Sequence, residues 1–490
     1  MKPIYPLLKI FTIGCVGLTL SLAACSPAST PTIPLVEPPS GGDSAPVVPP
    51  VDSGGDSDAP EPAAGGDSGD SFSEEGSVLG SSPVESAALP PADGGVLAPS
   101  GDILPPEPFP TYVAPNPPLQ SGILTAGDVD DNLNFDFYLG YTNRTLQNDT
   151  SQVLPAPLLN DRVILHLLDG QQRPLANARL TIAPNHSNQA ITLYSGADGT
   201  AYFFPTYAGM RDAGTFSVTV ESADGFAKDR FELFANDLKT TREVTFSLQT
   251  QSTSAIRALD LALVIDTTGS MGDELSYLTT ELEAIVADVN AAYPSVDLRY
   301  ALVVYRDEGD AYVVRSYDFT GNVREMRGWL ADQSANGGGD YPEAMEQALA
   351  EANQLSWRGG ETSRVLVLNA DAPPHDENLQ STLAQSQIAL QRGIRIYPLA
   401  ASGVAETAEY LMRIMAVTSG GRYLFLTDDS GVGNAHAEPK VPCYVVTRLD
   451  QLLMRVLRYE VSGVRVEAQG GQIIRQVGDY QNGVCLLYQQ

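Results

Sequence analysis

Three short stretches bring together oxygen donors at spacings that could do chemistry. In DLALVIDTTGSMGDEL, Asp260 to Leu275, an apolar run from Leu261 to Ile265 leads without a turn residue into Asp266, Thr267, Thr268, Ser270 and Asp273. In GGGDYPEAMEQAL, Gly337 to Leu349, a glycine loop and Asp340 directly precede a helical pattern. In VLVLNADAPPHDE, Val365 to Glu377, a second apolar run ends in Asp371. One such segment alone would serve equally well as a helix N-cap, satisfying orphan backbone N–H groups. Asp340 keeps that alternative, as the cap of a helix starting at Tyr341. Together the three segments offer carboxylates and hydroxyls, and none offers sulfur. That is the ligand set of a hard divalent cation, Mg2+ most naturally, with Mn2+ or Ca2+ as alternatives.

Other chemistries find little support. The four histidines are not spaced with the cysteines, which argues against a zinc site. No Ser-His-Asp ordering or Cys-His pair presents itself, and Gly337 to Gly339 lacks the Lys-Ser/Thr of a phosphate-cradling loop. The expectation is therefore a binding protein and not an enzyme. His375 reads as loop packing or outer support of the site. YRDEGD, Tyr305 to Asp310, reads as a solvated acidic loop, with the rim of the site as the alternative.

The elements that must carry these donors alternate between strands and helices from Ala255 onward. LDLALVI, RYALVVY, SRVLVLN, IRIYPLA and RYLFLT are strand-like runs. Between them, Leu275, Leu278, Leu282, Ile285 and Val289 recur at steps of three and four, one face of a helix. Further helical patterns are VREMRGWL, YPEAMEQALAEANQL, STLAQSQIALQRG, AETAEYLMRIMAVTSGG and RLDQLLMRVLRYEV. Continuous apolar strands alternating with helices predict an α/β fold with a doubly wound, mainly parallel sheet covered on both faces. Ligands of such sheets bind at the carboxyl ends of the strands, where Asp266 and Asp371 fall.

The pattern D-x-T-x-S at Asp266, Thr268 and Ser270, followed by GGGD-x-PEA and D-A-P-P-H, resembles the von Willebrand factor type A (VWA) domain with its metal-ion-dependent adhesion site. The resemblance covers roughly Ala255 to Val461, about two fifths of the chain. It implies a fold that binds protein ligands through Mg2+, which accepts an Asp or Glu carboxylate from the partner as its last ligand. Asp266, Thr268 and Ser270 match the first motif, with Thr where Ser is commoner, and Asp371 matches the carboxylate of the third. The second motif departs: many members carry threonine where this chain has Gly339-Asp340. Direct ligation by Asp340 would put three carboxylates around one dication and weaken its pull on an incoming acid. The fold also serves in regulatory and assembly subunits, which stands as the alternative function.

The rest of the chain suggests how this domain is displayed. Lys2 and Lys9 flank a short n-region, and Ile10 to Leu20 is apolar but too short to span a bilayer. Leu22-Ala23-Ala24-Cys25 resembles the bacterial lipobox, which implies residues 1–24 as a signal peptide and Cys25 as the lipidated first residue, anchored to a membrane outside the cytoplasm. From Ser26 to about Gln120 the sequence is Pro, Gly, Ser, Ala and Asp, with 14 acidic residues and no Lys or Arg. Such a chain cannot bury enough apolar surface to offset its ordering entropy, so residues 25–120 read as a disordered stalk. Residues 121–252 are expected to be a β-sandwich. RVILHLLD, PLANARLTIA, AITLYS, TAYFFP, TFSVTV and REVTFSL are short β-type runs, and the module resembles carboxypeptidase-regulatory-like or Cna-B-like domains. The VWA-like domain takes residues 253–463 and a β tail residues 464–490. Once Cys15 and Cys25 are assigned to signal and anchor, Cys443 and Cys485 remain, and an oxidising compartment suggests a bond between them, with two buried thiols as the alternative. The net charge of −31 in 490 residues disfavours nucleic acid as a partner by Coulomb repulsion.

Overall fold

The computed structural model describes residues 121–481 and 484–485, apart from 187–188, 212–213, 235–241, 252–254, 274, 340 and 402. The signal peptide, Cys25, the stalk and Asp340 therefore lie outside the described residues.

In chain order, strand β1 (Thr125–Val129) and helix α1 (Phe135–Asn148) come first. Seven short strands follow: β2 (Val163–Leu168), β3 (Arg179–Pro184), β4 (Ile191–Tyr194), β5 (Thr200–Phe203), β6 (Thr215–Glu221), β7 (Lys228–Phe234) and β8 (Glu243–Ser247). They form a three-stranded sheet, β5-β2-β8, and a four-stranded sheet, β4-β3-β6-β7. The alternation that marks them in sequence is the alternation of burial: Val163, Leu165 and Leu167 of β2 and Phe216, Val218 and Val220 of β6 all point into one shared core.

The second half alternates β9 (Ala258–Asp266), α2 (Leu275–Ala292), β10 (Asp297–Tyr305), β11 (Val314–Thr320), α3 (Val323–Ala331), α4 (Met345–Gln354), β12 (Thr362–Ala370), α5 (Leu379–Gln391), β13 (Ile394–Ala400), α6 (Glu406–Ser419), β14 (Tyr423–Leu426), β15 (Tyr444–Arg448), α7 (Leu449–Ser462) and β16 (Arg475–Val477). The sheet order is β11-β10-β9-β12-β13-β14-β1-β15-β16. Strands β10, β9, β12, β13 and β14 are parallel to one another, and the pairings outside them are antiparallel. Alternate residues of β9 feed two cores. Leu259, Leu261, Leu263 and Ile265 pack under α2, α3 and α7, whereas Ala262 and Val264 pack under α4, α5 and α6. All five apolar positions of the α2 stripe are buried.

One expectation changes. Residues 121–252 are not a single β-sandwich unit, because β1 slots between β14 and β15 and helix α1 packs Phe135 and Tyr138 into the core beneath α6. The small sheets are thus an insertion between the first strand of the α/β body and its remainder. The TAGDV strand has no alternating β-branched pattern to betray it, and it carries Gly127 for a steric reason: a Cβ there would come within 2.5 Å of the Phe425 ring. The tail also departs in part from a separate unit, since β16 adds to the edge of the same sheet beside β15. Cys443 is buried and disulfide-bonded. Cys485 lies in a two-residue strand paired with Tyr480-Gln481, and its side chain is outside the described set.

Candidate functional site

Parallel pairing brings three chain segments to one sheet edge. Asp266, the last residue of β9, sits opposite Tyr305 of β10. Asn369 of β12 sits opposite Ile265, which carries Asp371 just past the strand end to the same level. Asp266 is fully buried and Asp371 is 2% exposed.

The first motif folds back on its own carboxylate. Asp266 Oδ1 accepts hydrogen bonds from the Thr268 backbone N–H at 2.9 Å and from Thr268 Oγ1 at 2.7 Å, and the Thr268 and Ser270 hydroxyls lie 3.1 Å apart. Beyond Thr268 the chain enters a 3-10 turn, Gly269–Asp273, whose Met271 is driven into the core and leaves Ser270 facing solvent. Asp266 Oδ2 is buried and makes no hydrogen bond of ordinary geometry, the Tyr305 hydroxyl being the donor near it. A buried carboxylate oxygen left in this state costs free energy unless something else meets it.

The glycine loop is held against this turn. Gly337 O accepts from Gly269 N at 3.0 Å, and Asn336 N donates to Thr267 O at 3.0 Å. Gly337 and Gly338 take φ of +80° and +69°, the left-handed region that glycine enters without a Cβ penalty. A Cβ at Gly337 would come within 2.3 Å of the Asp310 carboxylate, and one at Gly338 within 2.8 Å of Glu343 Oε1 and 3.2 Å of Thr268 Cβ. Helix α4 begins at Met345, with Ala344 at its N-cap, so the sequence expectation of a helix starting at Tyr341 and capped by Asp340 does not hold. Tyr341, Pro342 and Glu343 instead run as a bridge. The Tyr341 hydroxyl donates to Asp371 O at 2.9 Å, and Glu343 N donates to Pro373 O at 3.0 Å.

Sequence reasoning overlooked Glu343. It is 2% exposed, and its Oε2 makes no hydrogen bond. Burial, and then the charges of Asp266, Asp307 and Asp371, push its carboxyl up to about 9. Burial and the Asp371 charge likewise push Asp266 up to about 7. Tyr305 stands among them, its hydroxyl raised well above the usual range by burial and then by Asp266, Asp371 and Glu343. Like charges this close cannot all ionise cheaply without a cation.

The YRDEGD loop is less solvated than its composition suggests. Asp307 is 5% exposed and contacts His375 Nε2 at 2.9 Å, while Asp310 Oδ2 accepts from Gly338 N at 2.8 Å. Only Glu308 and Gly309 stand out in solvent. The acids of this loop thus brace the glycine loop and His375 beside the site. A hint was available in their position at the end of a core strand, but nothing in the sequence distinguishes a bracing acid from a solvated one.

Asp266, Thr268, Ser270 and Asp371 therefore converge, and Asp340 lies outside the described residues. Among the described residues no group of three or more His, Cys, Asp or Glu side chains is placed so that it could hold a metal ion. The donor types are those a hard dication takes, hydroxyls and carboxylates from three segments, and one buried carboxylate oxygen on each of Asp266 and Glu343 makes no hydrogen bond of ordinary geometry.

This combination of parallel sheet and oxygen-rich carboxyl edge defines a class. Residues 260–433 match the von Willebrand factor A domain family. The chain is 28% identical over 186 residues to a putative ariadne-like RING finger protein of Acanthamoeba polyphaga mimivirus, covering 34% of this chain and 18% of that protein. It is 25% identical over 131 residues to the alpha-protein kinase vwkA of Dictyostelium discoideum, covering 26% and 21%. The chain thus spans about a fifth of the length of these curated relatives. Similar solved structures include the conserved hypothetical protein BatB of Bacteroides thetaiotaomicron, at 13% identity and TM-score 0.27, covering 37% of this chain and 91% of that one. The pilus adhesin SpaC of Lactobacillus rhamnosus GG aligns at 13% identity and TM-score 0.29, covering 43% and 30%. Likeness at these TM-scores carries no weight for function.

Proposed function

We propose that this chain is a non-enzymatic, membrane-anchored binding protein of the bacterial envelope, whose von Willebrand factor A domain captures a protein partner through a bound Mg2+. Asp266, Thr268, Ser270 and Asp371 hold the ion, directly or through water, and a partner Asp or Glu carboxylate completes its coordination. The observation that carries the reading is the state of Asp266: fully buried at the carboxyl edge of a parallel sheet, with one oxygen fixed by Thr268 and the other without a hydrogen bond of ordinary geometry. A cation between the two acids also answers an electrostatic problem, since a chain of net charge −31 repels an acidic group that approaches it unaided. The lipobox at Cys25 and the stalk at 25–120 supply the display. No helix among the described residues is long and apolar enough to cross a membrane.

The test is capture from envelope extract on immobilised protein with Mg2+, repeated in EDTA and with Asp266→Ala. Partner recovery that disappears in both controls supports the proposal, and recovery unchanged by EDTA refutes it. A second reading is favoured by one observation, the third buried acid Glu343 beside Asp266 and Asp371. There the domain is a regulatory or assembly subunit whose metal is structural. It expects metal binding with partner recovery independent of free Mg2+.

A further inference from the structure

We propose that residues 108–120, which lie outside the described residues, dock in an uncharged groove along α5 and fasten the segment leading into β1 to the flank of the α/β body.

The groove is uncharged throughout. Helix α5, LQSTLAQSQIALQ, holds no charged residue in 13 positions. A surface helix ordinarily turns a charged and polar face to water. Here the outward residues are Gln380, Ala384, Ile388 and Gln391, one stripe at steps of four and three. Two cavities lie beside it. One, of about 340 Å3, opens between Leu383 and Ala384 of α5 and the segment Pro155 to Leu158. The other, of about 130 Å3, is walled by Ile191, Leu193, Phe203, Met210 and Leu390. Tyr207 and Gln387 line both, so the cavities are two compartments of one groove. Among the described residues no Asp, Glu, Lys or Arg lines either, in a chain of net charge −31. Leu158 in its wall and Ile388 in the stripe are 50% and 43% exposed.

The chain carries a segment that matches. All 14 acids between Ser26 and Gln120 lie at or before Glu107, and PFPTYVAPNPPLQ, residues 108–120, is uncharged. It meets the groove without the desolvation cost of a buried charge. Five prolines with the rings of Phe109 and Tyr112 are the chemistry that docks as an extended strand into an aromatic-lined groove. Tyr207 supplies a ring between the compartments, and Pro155 and Pro157 an apolar wall.

Length and direction agree. Ala126 pairs with Leu426 at the carboxyl end of β14, so the chain enters β1 from the carboxyl edge of the sheet. The groove starts at that edge, since Gln380 follows the loop after β12, and it ends with Gln391 at the opposite edge, before β13. Thirteen residues of extended polyproline backbone reach about 40 Å. Passing from the α2 layer, where Glu281 holds Gly122, over the sheet edge to the α5 layer takes about 20 Å, two layer spacings. The rest of the reach covers the groove, about 16 Å long from Gln380 to Gln391.

Docking has a consequence for display, which rests on the membrane-anchored reading of the chain. Residues 121–124 emerge at the edge that carries Asp266, where a tether leading straight off would crowd the site. A segment bound along α5 delivers residue 108 to the opposite edge and leaves the carboxyl edge clear for a partner.

The experiment places a photo-reactive benzophenone amino acid at Tyr112 of the full chain and maps the cross-links by mass spectrometry. The expected product is an internal cross-link onto α5, residues 155–158 or residues 206–208. In a second arm, chymotrypsin cleavage after Tyr112 is compared between wild type and Ala384→Arg, an exposed helix position where arginine is well tolerated. The expected result is cleavage about tenfold or more faster in the variant, with its melting temperature unchanged, as a charged side chain in the groove releases the segment. Cross-links that fall elsewhere or join two chains overturn the proposal, and so does equal cleavage of the two proteins. Neither arm involves Mg2+ or a partner, so failure here leaves the metal-dependent reading standing, and loss of that reading leaves the docking standing.

Discussion

Arg413 in α6 and Asp131, just after β1, form a two-pronged ion pair with Nη2–Oδ1 at 2.7 Å and Nε–Oδ2 at 2.9 Å, and their side chains are 0% and 2% exposed. The pair joins residues 282 positions apart and fastens the segment that precedes the small sheets to the far side of the α/β body. Removing Asp131 leaves the buried Arg413 guanidinium with Glu409 alone, which its Nη1 meets at 3.0 Å. Asp131→Ala is therefore expected to cost about 3–5 kcal/mol in urea unfolding of the full chain. Replacing both with apolar residues, Asp131→Leu with Arg413→Met, should recover much of that loss.

Because β1 lies between β14 and β15, a fragment that starts at Ala255 lacks an interior strand. Two facing edges with unpaired N–H and C=O groups would be left, an invitation to edge-to-edge association. Such a fragment is expected to be aggregated or unfolded by light scattering and far-ultraviolet circular dichroism, although it contains the whole family match. Adding a synthetic peptide of residues 121–150 should restore a soluble folded complex. A monomeric, cooperatively folded fragment without the peptide would contradict this topology.

The entry of β1 is fixed by a single buried acid. Glu281 in α2 accepts from Gly122 N and Ile123 N, each at 2.7 Å, and from Leu124 N at 3.0 Å. Glu281→Ala removes charge-assisted acceptors from three N–H groups and is expected to cost about 1.5–3 kcal/mol. Amide hydrogen exchange at residues 122–124 should accelerate while β12 remains protected.

Asp130 supplies a pH dependence with a definite sign. Burial pushes its carboxyl up, but Arg465 and Arg422 outweigh this and hold it below the ordinary 3.8. Asp128 and Asp131 also face this cluster, and Glu467 shares Arg465. A depressed acid stabilises the fold above its unfolded pKa and ceases to do so as pH falls through its folded value. The stability gap between wild type and Asp130→Asn should be full at pH 7 and close in acid below about pH 4. A gap that widens in acid would reverse the assigned sign.

Much of this architecture can be read in the chain. The steps of three and four from Leu275 to Val289 and the unbroken apolar runs of β9 and β12 state their burial on both faces directly, and with them the edge to which Asp266 and Asp371 belong. Hidden parts depend on contacts distant in sequence. TAGDV is too short and too small to read as a strand, and its place between β14 and β15 is set by residues some 300 positions away. Glu343 looks like one more acid at a helix start. Only folding reveals that α4 begins two residues later and that Gly338 opens room for a carboxylate beside Thr268.

The central claim is that this edge of the sheet holds one divalent cation on Asp266. Isothermal titration of Mg2+ into chelator-treated full-length protein measures it directly. The account predicts saturable binding of one ion per chain, abolished in Asp266→Ala with the unfolding transition still cooperative. No saturable heat in wild type, or the same affinity in Asp266→Ala, would contradict it.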